Sequence, residues 1–234
     1  MDYAGKHVVV TGGTGALGAA VVGGLIAQGA KCIVPYRRES EAQRFEHRDN
    51  PNVKLIAAGD LADEAAVARL YDSVPLWASI HIAGGFASGK VADTDKAALM
   101  AQIDGNLVSC FLCCRAAVKA MAGQITGLGG RIVNVAARPA LEPRTGAGMT
   151  AYTIAKSGVA TLTIALAEEV AKDGILVNAV APSIMDTPAN RSAMPKADFA
   201  KWPKVEEVAA TILFLASPEN TVTRGAVVPV YGKA

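Results

Sequence analysis

In the stretch AYTIAK, Tyr152 stands four residues before Lys156. On a helix, positions i and i+4 share a face, so a phenol and an ammonium at this spacing converge on one small volume. A neighbouring cation favours the phenolate, so the expectation is a phenol whose pKa falls from about 10 toward neutrality. Tyr152 is then a candidate proton donor, tuned by Lys156. Alone the spacing is weak, because an exposed helix face presents the same pair, and the rest of the sequence must supply a reaction partner.

A partner is suggested by TGGTGALG (residues 11–18). Gly12, Gly15 and Gly18 permit a tight turn and close backbone approach, and a helix starting there presents amides to a pyrophosphate. An apolar strand-like run precedes the loop and a helical pattern follows it, the context that dinucleotide binding requires. Thr14 and Leu17, on the same loop, are counted with the glycines as nucleotide contacts. A carboxylate selecting NAD would be expected roughly 20 residues further on. That place holds Tyr36, followed by Arg37 and Arg38. Arginine pairs with a 2′-phosphate and stacks on adenine, so NADP(H) is expected, with NAD(H) as the alternative.

These groups need a scaffold. Short β-branched runs read as strands at 7–11, 31–34, 53–57, 78–83, 131–135, 175–180 and 226–230. Helical patterns occupy 16–28, 63–74, 104–121, 151–171 and 205–216. Strands that are apolar throughout imply a sheet buried on both faces. The alternation predicts an α/β fold, a Rossmann-type doubly wound sheet of about seven parallel strands with helices on both faces. No linker or repeat divides residues 1–234, so one domain is expected. Two irregular stretches, 138–148 and 182–199, follow strands where open sheets place ligands.

Composition narrows the partners. Half of the 234 residues are hydrophobic and the net charge is +2, without the basic excess of a nucleic-acid or anionic-membrane binder. The longest apolar run, ALGAAVVGGLIA, has 12 residues, short of the roughly 18 that span a bilayer. The N-terminal segment lacks the pattern of a secretory signal, so cytoplasmic residence is the default expectation. Cys110 and Cys113 form a C-x-x-C without a second ligand pair, and with Cys32 and Cys114 they read as small buried thiols. His7 and His81 lie in strands as core or wall residues, and His47 sits in a polar stretch. No histidine has partners at metal-ligand spacing in the sequence, and no metal is expected.

Taken together the motifs resemble the short-chain dehydrogenase/reductase family over essentially the entire chain. The resemblance rests on TGGTGALG, Asp60-Leu61, HIAGG (81–85), Asn106, Tyr152 with Lys156, and NAVAPSIMDT (178–187). Asp60 and Leu61 resemble an adenine-contacting pair, and Ala83, Gly84 and Gly85 the small wall beside the cofactor. By the same resemblance Asn106 helps hold a proton-relay water, and Ile184 and Thr187 contact the nicotinamide end. Tyr152 would protonate the substrate and, with Lys156, contact the bound cofactor, while Lys156 lowers the phenol's pKa and holds the nicotinamide ribose. A serine that polarises the carbonyl is missing, since Ala137 occupies its place; Ser183 and Ser157 are out of register, and Thr145 or Thr150 would have to fold back.

A narrower resemblance, to the dihydropteridine reductase branch, rests on AGGFASG (83–89), the serine-free AARPALEPRTGAGMTAYTIAK (136–156) and MDTPANRSAMPKADFAKW (185–202). That branch uses the Tyr/Lys pair without the serine and carries an acidic residue after strand two, where this chain has Tyr36-Arg37. It implies a small-molecule substrate, a quinonoid dihydropterin, with general carbonyl or 3-oxoacyl thioester reduction and non-catalytic NADP(H) sensing as alternatives. Met194, Phe199 and Trp202 in the substrate loop near 182–202 are expected either to pack on the body or to close over the nicotinamide. Apolar faces around 106–121 and 152–171 suggest a homodimer or homotetramer.

Overall fold

Successive strand residues point to opposite faces of a sheet, and here both faces are apolar. Val8 and Val10 enter one core cluster and Val9 the other; Val34 and Ile33, and Val133 and Ile132, divide in the same way. A computed structural model describes residues 1–72, 75–122 and 129–233. In it β1 (His7–Thr11), β2 (Lys31–Tyr36), β3 (Val53–Ala57), β4 (Leu76–His81), β5 (Gly130–Val135), β6 (Ile175–Pro182) and β7 (Val227–Val230) form one sheet. Their order is β3-β2-β1-β4-β5-β6-β7 and every pairing is parallel. The order reverses between β1 and β4, the switch point at which an open sheet leaves a crevice beyond its carboxyl ends.

The helices are α1 (Ala16–Ile26), α2 (Glu39–Arg44), α3 (Glu64–Tyr71), α4 (Lys96–Ile103), α5 (Ser109–Ala122), α6 (Arg138–Leu141), α7 (Thr150–Glu169), α8 (Pro188–Ala193) and α9 (Val205–Ala216). α1 and α9 supply one apolar cluster, and α3, α5 and α7 the other. The doubly wound fold expected from the strand–helix alternation is the one observed.

Element boundaries differ for local reasons. β4 begins at Leu76 and ends at His81, two residues earlier than expected at each end: Leu76 pairs with His7 across an extra residue, Trp77, and the ladder with β1 stops at Thr11 and His81. Its indole leaves the ladder, donates to the Ala216 carbonyl at 2.9 Å and lies beneath the Lys6 ammonium. β2 runs past Pro35 to Tyr36 because these residues pair only with β3, on the side where β1 has already departed. The last two residues expected in the third helix, Ser73 and Val74, lie outside the described residues.

The helix expected from residue 104 starts at Lys96, where Asp95 caps it by accepting from the Ala98 amide at 2.8 Å. A π turn at Asp104–Val108 joins α4 to α5, making an unbroken stretch from Lys96 to Ala122. By length and composition this stretch could cross a bilayer, which the count of uninterrupted apolar residues did not anticipate. Its face of Cys110, Leu112, Cys113, Cys114, Ala117 and Met121 is buried in the second core cluster.

Candidate active site

The glycine spacing at the end of β1 has a steric cause. Gly12 adopts φ +69°, and a Cβ there would lie 2.6 Å from the Ala83 amide nitrogen. A Cβ on Gly18 would meet the Gly12 carbonyl oxygen at 2.1 Å and Gly13 Cα at 2.5 Å. Gly15 precedes α1 as an N-cap without a side chain, so none competes for the first amides of the helix. Beyond this loop opens a cleft of about 500 Å³. It brings together Gly12, Thr14, Gly15, Leu17, Gly18, Tyr36, Arg37, Arg38, Asp60, Leu61, Ala83, Gly84, Gly85 and Asn106, all of which the sequence nominates.

The basic corner of the cleft contains a carboxylate that sequence reasoning missed. Glu41 pairs with Arg38 at 2.8 Å and accepts from the Arg37 amide at 3.0 Å, capping α2. Tyr36 Oη donates to Glu39 at 3.1 Å. One of the two arginines is therefore engaged within the chain, while Arg37 is exposed. The signal was present as the Glu three residues after the N-cap, a capping-box spacing.

On the opposite wall the π turn carries Asn106, and such turns are frequent at functional sites. Asn106 Nδ2 donates to the carbonyls of Gly85 and Gln102, both at 3.0 Å, and Oδ1 accepts from the Gly85 amide at 3.2 Å. Both donors of the carboxamide are used, so the side chain clamps the wall and has no free N–H for a relay water. Gly84 must be small here, since its Cβ would lie 2.5 Å from Asn106 Oδ1.

Tyr152 and Lys156 lie where that wall ends. Lys156, 6% exposed, donates from Nζ to the Val135 carbonyl at 2.8 Å, and a Cβ on Gly84 would lie 3.6 Å from Nζ. Nζ is 5.9 Å from the centre of the Tyr152 ring. The expected fall in the phenol's pKa is not what this environment produces. Burial pushes Tyr152 up to about 12, and burial also lowers Lys156 to about 8, Cys110 partly offsetting it. Desolvation governs the Tyr152 shift, so the phenol holds its proton throughout the neutral range. That is the state a proton donor requires.

The mouth beside Tyr152 is apolar. Phe86, 62% exposed, meets the Tyr152 ring edge to face with centroids 5.1 Å apart. Its loop is tied to the segment before α7 by the Gly89 amide donating to the Gly148 carbonyl at 2.8 Å. Ala137 is buried at the start of α6. Ser183 donates to the Tyr231 carbonyl at 2.9 Å and Thr145 to that of Glu142 at 2.8 Å. Thr150 and Ser157 line a separate groove with Ile154.

Ile184 and Thr187 are not among the residues lining the cleft. Ile184 is exposed, whereas Thr187 is buried and its hydroxyl accepts from the Asn190 amide at 3.2 Å to cap α8. The rest of the 185–202 segment is packed as a unit. Arg191 holds Asp186 through two bonds of 2.6 and 2.7 Å and lies over the Phe199 ring. Phe199 in turn stacks at 5.0 Å on Trp202, which is 8% exposed. This arrangement favours the packing role for Trp202.

The residues present fit a dinucleotide. The cleft floor is a glycine loop folded so tightly that a Cβ at Gly12 or Gly18 would strike backbone, its corner is basic, and the Gln102 carboxamide oxygen is buried there without a partner. Sequence reasoning also missed Phe86 as an exposed wall, and the meeting of His81 with Cys110 and Cys114, whose donor atoms all lie within 4.8 Å of one another. The i, i+4 spacing of the two thiols was visible; their strand partner, some thirty residues earlier, was not.

Comparison with known proteins shows the family and the fold. Residues 6–198 match the family described as short chain dehydrogenase. The chain is similar to galactitol 2-dehydrogenase of Rhizobium johnstonii, 33% identical over 247 residues that cover 97% of this chain and 93% of the relative. It is also similar to a 3-oxoacyl-(acyl-carrier-protein) reductase of Synechocystis, 32% identical over 228 residues covering 89% and 88%. A solved short chain dehydrogenase/reductase family protein matches with TM-score 0.89 at 27% identity, over 99% of this chain and 98% of the other.

Proposed function

The chain belongs to the short chain dehydrogenase family and is an oxidoreductase of that type, and from this premise we propose that it is an NADPH-dependent reductase of a small conjugated acceptor, a quinonoid dihydropterin. The observation that carries the reading is the buried Lys156 ammonium beside Gly84, with the half-buried Tyr152 one turn before it, next to a glycine-floored cleft with Arg37 and Arg38 at its corner. The nicotinamide, when bound, supplies the hydride. Tyr152, protonated at neutral pH, gives the balancing proton to the acceptor. Lys156 holds its ammonium against the Val135 carbonyl and orients the ribose beside it. With Ala137 in the serine's place, an acceptor whose charge spreads over a conjugated ring suits the site better than an isolated ketone. Met185–Trp202 carries the branch resemblance, and the flat, apolar wall of Phe86 supports it.

The cofactor preference comes with a test. Glu41→Gln keeps an oxygen to accept from the Arg37 amide but releases the Arg38 guanidinium. An exposed ion pair is worth about 0–1 kcal/mol, so the ratio of NADPH to NADH affinity should rise by up to roughly fivefold. Fluorescence titration with both nucleotides measures it. Wild type binding NADH more tightly than NADPH would overturn the preference.

Lys156 gives a pH dependence of known sign. Nucleotide binds the ammonium form, whose pKa in the free protein is about 8. Above that pH a proton must be taken up on binding, so affinity weakens by about tenfold for each further pH unit. Dissociation constants from pH 7 to pH 10 check this, and a flat profile would remove the ammonium from the nucleotide contact.

Phe111 on α5 and Ile154 and Ile164 on α7 are about half exposed, which supports a homodimer or homotetramer joined through these helices. A monomeric mass in solution would contradict that assembly. Cytoplasmic residence belongs to the same reading.

The substrate is tested by following NADPH oxidation with a quinonoid dihydropterin, a panel of ketones and an acetoacetyl thioester. Fastest turnover of the dihydropterin is expected. Turnover confined to ketones or the thioester would favour the general carbonyl reductase, which the similarity to the 3-oxoacyl reductase supports. Tight NADPH binding with no turnover of any acceptor would favour a sensor.

A further inference from the structure

Behind the cleft wall, and separate from Tyr152, four donor atoms from three elements face one another. Cys110 Sγ and Cys114 Sγ, one turn apart on α5, lie 3.3 and 3.4 Å from Asn134 Oδ1 on β5. His81 Nδ1, at the end of β4, is 2.8 Å from the same oxygen and 3.5 Å from Cys114 Sγ. All four residues are buried. Around a tetrahedral ion with bonds of about 2.0–2.3 Å, ligand atoms stand about 3.3–3.8 Å apart. Three of these separations, at 3.3, 3.4 and 3.5 Å, fall in that range, the 2.8 Å contact must open, and Cys110 Sγ lies within 4.8 Å of Cys114 Sγ and of the His81 ring nitrogen.

We propose that His81, Cys110, Cys114 and Asn134 form a structural site for a thiophilic tetrahedral cation, zinc, that ties α5 to β4 and β5. Binding releases one proton from each thiol, and the two thiolates neutralise the dication, so the buried unit carries no net charge. As the site stands, His81 Nδ1 donates to the Asn134 oxygen, which can only accept, so metal binding requires the other imidazole tautomer, and the surroundings allow it. His81 Nε2 is 2.7 Å from Ser79 Oγ, which is 2.7 Å from Tyr71 Oη, so the imidazole can donate outward while Nδ1 takes the metal. Asn134 Nδ2 donates to Thr163 Oγ1 at 2.9 Å, which fixes its carbonyl oxygen toward the thiols. Cys113 does not belong to the cluster; its thiol lies against Tyr71.

Because the ligands are buried, the ion enters during folding, and the test uses protein expressed with zinc or with cobalt in the medium. One zinc per chain by elemental analysis is expected, with a thiolate-to-cobalt charge-transfer band in the cobalt form. Cys110→Ser and Cys114→Ser should each lose the metal and the band, and Cys113→Ser should keep both. Metal-free protein from both media, or a metal content unchanged by Cys110→Ser and Cys114→Ser, would overturn the site. If either serine variant fails to fold, the wild-type metal content and cobalt spectrum decide the matter alone. Reductase activity enters none of these measurements.

Discussion

Tyr152→Phe should lower turnover by about two to four orders of magnitude, the usual range for losing a positioned acid. The phenylalanine keeps the ring that packs against Phe86 and removes only the oxygen. Of the residues considered as substitutes, Ala137 has no donor and the Ser183 and Thr145 hydroxyls are bonded to main-chain carbonyls. Nucleotide affinity should stay at the wild-type level, since the cleft lining from Gly12 to Asn106 is untouched. The loss should be smaller for a quinonoid acceptor than for an isolated ketone, whose developing charge depends more on one donor. Steady-state rates together with NADPH titration of the same variant check both halves. Unchanged turnover would remove Tyr152 from the chemistry.

The second large effect belongs to the glycine cradle. In Gly18→Ala the new methyl would sit 2.1 Å from the Gly12 carbonyl oxygen and 2.5 Å from Gly13 Cα. Both obstacles are backbone, so no flexible side chain can move aside. Overpacking of this kind costs about 1–3 kcal/mol or more, and here it is relieved only by pushing the loop off the start of α1. NADPH binding should weaken by at least about tenfold, at roughly 1.4 kcal/mol per decade, with a lower Tm. Gly59→Ala is the contrasting variant: no atom lies within 4 Å of the added methyl, although its φ of +75° adds backbone strain. If Gly18→Ala bound NADPH as wild type does, the loop would not be the nucleotide floor.

The sheet could be read from the residues because its strands are β-branched on both faces, as Val8, Val9 and Val10 show by dividing between two cores. Most of the cleft was legible for a related reason: Gly12, Gly18 and Gly84 mark places where backbone or Asn106 leaves no room for a Cβ. What could not be read depends on competition between partners. The approach of Lys156 to Tyr152 was visible as spacing, but whether charge or burial governs the phenol depends on how many atoms surround it. Arg38 looked free until the fold closed Glu41 onto it.

The 185–202 motif had no folding reason on the page of the sequence, yet nearly every distinctive residue has one in the structure. Asp186 pairs with Arg191, Thr187 caps α8, Asn190 donates to the Met185 carbonyl, Asp198 caps the Phe199 turn and Phe199 stacks on Trp202. These pairs are local, two to five residues apart, but their spacings are irregular and leave no periodicity to detect.

The most direct measurement is a crystal structure of the chain with NADP⁺ bound. The account predicts the adenosine end at Arg37 and Asp60, the ribose beside Lys156, and the reactive ring carbon facing Tyr152 Oη in the space bounded by Phe86 and Ala137. A nicotinamide bound elsewhere, or a phenol oxygen directed away from it, would contradict the account.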